Sequence, residues 1–500
     1  MSDKLFNKAY EVSSALYREL YLKNSNPSLT DRFMFQISTF IQGILRQYIY
    51  PDFNKFEYSL DHLYLFRCII ECLSIVKMYD SGDIDKESES LLMDFDYLVE
   101  YPFYSKYRDL KPGMDEYFKK RKSAFYSVKE KYRTKCEVDH KDFKDLMNSR
   151  LPWLKGNYSY KMLVGSYLPD LLDDYIRLGY LVHPNHLLVS IAVVNETNLA
   201  DILSLISKYF LEFQNKFYPN LEVRIVDMIQ VKYDLIIEKE EILPLLYYAK
   251  EVHNAIYKMG NDMIKYHNIA DSRGSYYLHY SSYVYNLLTD YIHSKTEVMK
   301  ARFKPFIELC AMESYIMLVN RRNQDFKERL ILAHSYYHYQ KMNNEDTKDV
   351  VKDSYDIFKS NYKYDGSIDD FKRQLDQTLG FFKRSCSINK FVYDFIDRYF
   401  EGEENKLVKM TYDESQSISH ANGYMLTSTT SAFDDIATII FSTVKLITDF
   451  TTEIIKDLDE EIKTEGSKLN KLKYDLKKNL QKFAEGMTYF LKEVRIIKTK

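Results

Sequence analysis

Residues 433–462 read FDDIATIIFSTVKLITDFTTEIIKDLDEEI, and their apolar side chains return at steps of three and four residues. Such steps keep side chains on one face of an α-helix, because the helix has 3.6 residues per turn. The stretch therefore predicts one long amphipathic helix. The residues of this apolar series are Phe433, Ile436, Ile440, Val444, Ile447, Phe450, Ile454, Leu458 and Ile462.

A second apolar series follows a short polar turn at 464–467, which contains Gly466. Two amphipathic stretches joined by such a turn are typical of an antiparallel helical hairpin. We therefore predict a C-terminal helical hairpin over residues 432–500. The second series consists of Leu469, Leu472, Leu476, Leu480, Phe483, Met487 and Val494.

Helical periodicity extends over most of the remaining chain. Successive amphipathic stretches occur in residues 1–182 and again in residues 241–400, and no proline follows Pro305. Because proline breaks helix interiors, its absence favours long helices in the C-terminal part. The sequence predicts a mainly α protein, with an N-terminal helical block at 1–182 and a second helical block at 241–400.

Two segments depart from this pattern. Residues 183–240 contain the short β-branched run LLVSIAVV and the later run LEVRIVDMIQVKYDLII, separated by a helix-like stretch, which is compatible with a small α/β insertion. Residues 401–431 are polar and rich in hydroxyl side chains, with weak periodicity. We expect a linker or long loop there.

The composition limits the classes of function. Lys+Arg 70 against Asp+Glu 73 gives a net charge of -3, so no overall field attracts nucleic acid or an anionic membrane. The five cysteines are odd in number and scattered, which is typical of a reducing compartment, and Cys68 and Cys72 are expected to be buried thiols. With no signal-peptide core at the N-terminus and charges interrupting 436–455, we expect a cytoplasmic protein without membrane contact.

The C-terminal segment has a local excess of positive charge. Residues 468–500 carry ten Lys or Arg against three acids. Lys471, Lys477, Lys478 and Lys482 are therefore candidate contacts for RNA or DNA phosphates. The same side chains could instead pair with the acidic residues of 453–465 or remain solvated.

No common catalytic or cofactor motif is present. The chain lacks a Walker A loop, a Rossmann glycine fingerprint, a G-x-S-x-G elbow, a kinase signature and H-E-x-x-H. His334 and His338 lie one helical turn apart, but no third ligand accompanies them. The sequence therefore gives no reason to expect a cofactor or a metal.

Arg67 and Glu71 lie one helical turn apart within the apolar stretch LYLFRCIIECLSIVKMY, where they can form an ion pair. Such a pair either orders a site or holds two helices in register. A later segment, YNLLTDYIHSKTE, places Tyr285, Leu288 and His293 near a helix end. The same spacing recurs as Tyr175, Leu178 and His183 in YIRLGYLVHPN.

An R-x-x-x-E helix combined with a Y-x-x-L-x-x-x-x-H helix end resembles the HEPN-like bacterial helical proteins, several of which act in phage defence. The resemblance implies a protein that binds or senses RNA, and in its sharpest form a metal-independent ribonuclease. In that chemistry an arginine stabilises phosphate charge and a histidine transfers the proton. The candidate catalytic residues are Arg177, His183, Arg273, His279 and His293, with Arg67, Glu71 and Tyr285 as site-ordering residues.

A function of another class fits the same composition. A non-catalytic helical scaffold would oligomerise, or would bind a protein partner through its apolar and aromatic helix faces. A scaffold of this kind would leave the arginine and histidine side chains scattered or engaged in structural contacts.

Overall fold

The computed structural model describes only part of the chain. Helices dominate the described residues and no strand occurs among them, so the prediction of a mainly α fold is confirmed. The described residues are 2–22, 27–49, 60–86, 88–90, 94, 105–110, 115–136, 160–182, 196–223, 242–266, 272–292, 296–320, 355–356, 359, 365–370, 373, 388–418, 439–449, 451–453, 455–456 and 467–499.

The helices of the N-terminal part pack around one apolar core, which also includes Val298 and Ala301 from a later helix. Two short 3-10 turns, Arg108–Leu110 and Pro169–Leu171, lie between them. The α-helices are α1 (Ser2–Leu22), α2 (Leu29–Ile49), α3 (Leu60–Asp80), α4 (Asp115–Cys136), α5 (Tyr160–Tyr167), α6 (Leu172–Val182) and α7 (Glu196–Phe217).

Local sequence explains where α2 begins and where α3 ends. Ser28 and Asp31 form a reciprocal cap at the start of α2: the Asp31 amide donates to Ser28 Oγ, and the Ser28 amide donates to Asp31 Oδ2. After α3, Gly82 adopts a positive φ of 79° and its amide donates to the carbonyl of Tyr79. A glycine in this conformation terminates a helix without steric cost.

Helix α10 packs against helices from both parts of the chain, since it contacts α2, α3, α9, α11 and α12. Helix α8 packs along both α9 and α13. None of the described helices combines the length and the apolar character needed to cross a membrane. The helices are α8 (Ile242–Tyr266), α9 (Ser272–Ile292), α10 (Thr296–Asn320), α11 (Ile388–Tyr399), α12 (Gly402–Ile418) and α13 (Ser467–Thr499).

The two stretches of the predicted C-terminal hairpin are helical where the structure describes them. Residues 439–449 are helical, and Ile440, Val444 and Ile447 are buried as the apolar series requires. In α13 the buried residues of the second series are Leu472, Leu476, Phe483 and Met487. Helix α13 packs along α8, whereas Thr451 reaches α9 through the hydroxyl of Tyr277, at 2.8 Å. The turn at 464–466 lies outside the described residues.

The linker prediction for 401–431 is wrong over residues 402–418, which form α12. The side-chain amide of Asn405 donates to the carbonyls of Ile396 and Phe400, and so caps the end of α11. Glu414 is buried against α10, where its carboxylate pairs with Lys300 at 2.6 Å. Thr411 and Ser415 are buried on the same helix, so part of its polar side chains lie in the interior. Residues 419–431 lie outside the described residues.

Within the expected α/β insertion at 183–240, the structure describes only residues 196–223. The helix-like stretch between the two β-branched runs is helix α7, with Leu203, Ile206 and Phe210 buried. The first run and residues 224–237 of the second lie outside the described residues. The two strands therefore stay a prediction.

Candidate nucleic-acid interface

Helix α13 presents a basic stripe to solvent. Its apolar residues face the protein, so the lysines between them are turned outward. Lys471, Lys477, Lys478 and Lys482, the lysines singled out from the sequence, are all exposed. Within the described part of the chain, no ion pair holds any of these four side chains.

Helix α8 adds a second exposed stripe that the sequence alone did not single out. Its buried side includes Val252, Ile256 and Met259. The opposite side carries basic, amide and phenol side chains at helical spacing, with no exposed acid among the described side chains of α8. These exposed residues are Tyr247, Lys250, Asn254, Tyr257, Lys258 and Asn261.

The two helices run antiparallel and their exposed stripes meet. The Tyr489 ring of α13 stacks on Tyr248 of α8, with ring centroids 5.1 Å apart and planes inclined by 11°. One turn earlier in α13, a Cβ on Gly486 would lie 2.9 Å from Val252 Cγ2, so only glycine allows the helices to approach this closely. Tyr247 meets Tyr248 edge to face at 5.6 Å. These contacts join the exposed Tyr247 to the exposed Tyr489.

We call this combined surface the basic face. It carries six exposed lysines, Lys250 and Lys258 from α8 and the four from α13. Among its described side chains one acid, Glu485, is exposed, and it accepts a hydrogen bond from Gln481 at 2.8 Å. The remaining described acids of the two helices are half-buried. In a protein of net charge -3, this is a marked local excess of positive charge.

Arg67 and Glu71 form the predicted ion pair, and the structure brings them to Tyr175. Arg67 Nε lies 3.2 Å from Glu71 Oε1, and the Tyr175 hydroxyl donates to the same oxygen at 2.8 Å. The Arg67 guanidinium also lies over the Tyr175 ring, 5.6 Å from its centroid. Burial, followed by the Glu71 charge, raises the pKa of Tyr175, so its hydroxyl stays protonated and can donate. This cluster connects α3 to α6.

Tyr285, from the other copy of the Tyr-Leu-His spacing, has a different neighbour. It is buried on α9, with its ring 5.4 Å from the ring of His253 in an edge-to-face contact. His253 Nδ1 lies 2.9 Å from the carbonyl oxygen of Ser281, which requires Nδ1 to be the protonated nitrogen. Burial lowers the pKa of His253 to about 4, so the imidazole is neutral at pH 7.

None of the five candidate catalytic residues has a side chain within the described part of the structure. Arg177 lies on α6, and Arg273 and His279 lie on α9, but their side chains are outside the described part of the structure. His183 and His293 lie outside the described residues. Their roles stay predictions.

Cys68 and Cys72 are buried as predicted. Burial raises the pKa of both thiols, which therefore remain protonated and are poor metal ligands. Among the described residues, no group of three or more histidine, cysteine, aspartate or glutamate side chains is arranged to hold a metal ion.

Sequence reasoning missed half of the basic face. The polar residues of α8 do recur at three- and four-residue steps, which is the signal of a solvent-facing stripe. That spacing does not reveal which other helix lies beside the stripe. The lysines of α8 and α13 are more than two hundred residues apart in sequence, and only the packing of the two helices combines them.

Comparison with known proteins leaves the surface to be interpreted from its own geometry. No protein-family model, no curated protein and no solved structure matches this chain.

Proposed function

We propose that this protein binds RNA along the basic face formed by α8 and α13. The observation that carries the proposal is the set of six exposed lysines on adjoining stripes of two antiparallel helices, accompanied by one exposed acid among the described side chains of these helices. Phosphate contacts supply most of the non-specific affinity for nucleic acid, and each lysine that neutralises a phosphate releases a counterion.

The other exposed side chains on the basic face suit the same ligand. Asn254 and Asn261 carry amides that donate to phosphate oxygens or to the edges of bases. Tyr247, Tyr257, Tyr474 and Tyr489 expose rings beside the lysines. Helical side chains of this kind bind a flexible polyanion without the deep pocket that a small ligand needs.

The test is binding of a fluorescein-labelled RNA, followed by fluorescence anisotropy at several salt concentrations. We expect Lys471→Glu/Lys478→Glu/Lys482→Glu to lower the affinity by on the order of tenfold or more at low salt, because three favourable phosphate contacts become repulsive. In the variant carrying three alanines instead, the salt dependence of the affinity should become shallower, by about 0.7 in log–log slope for each lost contact with a single strand.

Lys161 and Lys208 provide the matched control, since both are exposed but lie on α5 and α7. Lys161→Glu/Lys208→Glu changes the net charge in the same direction and should retain most of the affinity. Equal weakening by both sets of substitutions would show that net charge, not this face, governs binding. Absence of RNA binding by the wild type would overturn the proposal and favour a protein-binding scaffold.

We propose metal-independent RNA cleavage as the sharper form of this function. One observation favours the region that begins at α6: of the two Tyr-Leu-His spacings, the copy with Tyr175 contacts the Arg67–Glu71 pair. Helix α6 also carries Arg177, and His183 follows it directly in sequence. This arrangement supports His183 ahead of His279 and His293 as the residue that transfers a proton.

Cleavage of labelled total RNA in EDTA distinguishes these histidines. We expect the wild type to cleave and His183→Ala to be inactive, with His279→Ala and His293→Ala as comparisons and circular dichroism to check folding. Loss of cleavage in a different folded variant would move the site to that histidine. Binding without cleavage by the wild type would limit the function to RNA binding.

A further inference from the structure

We infer that the basic face selects single-stranded RNA, because its tyrosines stack on unpaired bases while its lysines contact the phosphates. The inference rests on the proposed function and assigns it a substrate class. Phosphate contacts alone would not distinguish a single strand from a duplex, so the distinction has to come from the aromatic side chains.

The exposed aromatic side chains are concentrated on these two helices. Among the described residues, eight large hydrophobic side chains are exposed, and four of them belong to the basic face. All four are tyrosines: Tyr247 is 59% exposed, Tyr257 48%, Tyr474 66% and Tyr489 49%. Exposed rings next to lysines are the usual components of surfaces that bind single-stranded nucleic acid.

The rings alternate with positive charges along each helix. On α13, Tyr474 lies between Lys471 and Lys478 at steps of three and four residues, so the three side chains share one stripe within about 11 Å of helix rise. On α8, Tyr247 precedes Lys250 by three residues, and Tyr257 is followed directly by Lys258. Each of these three tyrosines therefore has a lysine nearby that can contact a phosphate.

Internal contacts hold two of these rings in place without covering them. Tyr489 is stacked on Tyr248, and Tyr257 is stacked on the buried His253, with centroids 5.7 Å apart and planes inclined by 23°. Both tyrosines nevertheless keep about half of their surface exposed. A ring held in this way loses little conformational freedom when a base stacks on it.

The same composition argues against a protein partner at this surface. None of the exposed large hydrophobic residues on the described part of the basic face is aliphatic. Lysine is depleted at the cores of protein interfaces, whereas here it is the most frequent exposed side chain. In a duplex the bases are already stacked and paired, so these rings would find no base to contact.

The experiment compares one labelled RNA, free and annealed to its complement, with tyrosine variants of the full chain. Tyr247 and Tyr474 are chosen because no ring from the other helix covers either of them in the described structure. We expect the wild type to bind the single strand more tightly than the duplex. Tyr247→Ala/Tyr474→Ala should weaken single-strand binding by on the order of tenfold or more and leave duplex binding unchanged.

Two control variants isolate the stacking contribution. Tyr247→Phe/Tyr474→Phe keeps the rings and should retain wild-type affinity and selectivity. Tyr21→Ala/Tyr126→Ala removes equally exposed rings from α1 and α4 and should also behave as the wild type.

Equal affinity of the wild type for both RNAs, or an unchanged affinity of Tyr247→Ala/Tyr474→Ala for the single strand, would overturn the inference while the lysine variants still support the proposed function. Weakening of single-strand and duplex binding to the same extent by the alanine substitutions would also overturn it. Failure of the wild type to bind either RNA would overturn the proposed function itself.

Discussion

Helices α10 and α13 are both rich in charged residues, but they use them in opposite ways. On α10, Lys300, Arg302 and Lys304 are all buried, whereas the lysines at the centre of α13 are exposed. Two of these buried cations meet acids from neighbouring helices: Arg302 Nε lies 3.1 Å from Asp290 Oδ2 of α9, and Lys300 Nζ lies 2.6 Å from Glu414 Oε2 of α12. The basic stripe on α13 has no comparable acids above it in the described structure.

The role of a charged side chain therefore depends on the groups that surround it. A buried charge loses its hydration, and only a well-placed counter-charge and hydrogen bonds offset that loss. Arg302 meets this requirement through Asp290 and through the carbonyl of Gly43, to which it donates at 3.2 Å. The exposed lysines keep their hydration and remain available to an external polyanion. The buried cations therefore serve stability, and we propose that the exposed lysines serve binding.

Breaking the Arg302–Asp290 pair should have the largest effect. Arg302→Met leaves the Asp290 carboxylate buried without its counter-charge, and we expect it to lower the free energy of unfolding by about 3–5 kcal/mol in urea denaturation. Asp290→Leu added to Arg302→Met should recover most of that loss, because the uncompensated charge is then removed.

Arg373 is the matched control, since it forms an exposed Arg–Asp pair with Asp370. Arg373→Met should leave the unfolding midpoint unchanged. Equal destabilisation by Arg302→Met and Arg373→Met would contradict the distinction between buried and exposed charges.

His253 shows the same contrast within one helix, because α8 carries this buried imidazole as well as its exposed lysines. The folded-state pKa of about 4 is below the unfolded value of 6.5, so the unfolded chain binds the proton first as the pH falls. The contribution of the neutral His253 to the free energy of unfolding is therefore fully present above pH 6.5, and it is lost as the pH falls toward 4. We expect the loss at pH 4 to be about 3 kcal/mol.

The measurement is the free energy of unfolding at several pH values for the wild type and for His253→Gln. Glutamine retains a donor for the Ser281 carbonyl but does not titrate. Both proteins will lose stability in acid through their carboxylates, so the difference between the two curves is the relevant quantity. Parallel curves between pH 6.5 and 4 would show that His253 is not held neutral by burial.

The smallest effect on stability should come from the lysines of α13. Lys471→Ala/Lys478→Ala/Lys482→Ala should change the free energy of unfolding by no more than about 0.5 kcal/mol per position, because exposed side chains outside caps and ion pairs contribute little. The same variant should show weaker RNA binding with a shallower salt dependence. A large loss of stability would show that these lysines stabilise the fold, as the buried cations of α10 do, and would contradict the distinction between the two helices.

Periodicity predicted the fold better than polarity did. The apolar steps of Ile440, Val444 and Ile447 identified a helix because each step is close to one turn. The polarity of residues 401–431 predicts a linker, but residues 402–418 form α12, because the sequence does not show that Glu414 meets Lys300 inside the protein. Hydroxyl and carboxyl side chains predict a loop only when they lack interior partners.

The sequence likewise predicted one part of the candidate site and not the other. The lysines of α13 were identified from local charge density, which is a property of consecutive residues. The sequence did not predict that the stripe on α8 belongs to the same surface. It also did not predict that Tyr175, and not Tyr285, contacts Arg67 and Glu71. Both depend on which helices lie side by side.

By itself the sequence determined the helical class, the apolar face of each long helix and the basic character of the last one, because these follow from the 3.6-residue period and from local composition. The tertiary structure decided which charges are buried, which tyrosine completes the Arg67–Glu71 cluster and which stripe adjoins the lysines of α13. The physical reason is that burial and electrostatic pairing depend on distances between residues far apart in the chain, and only packing sets those distances.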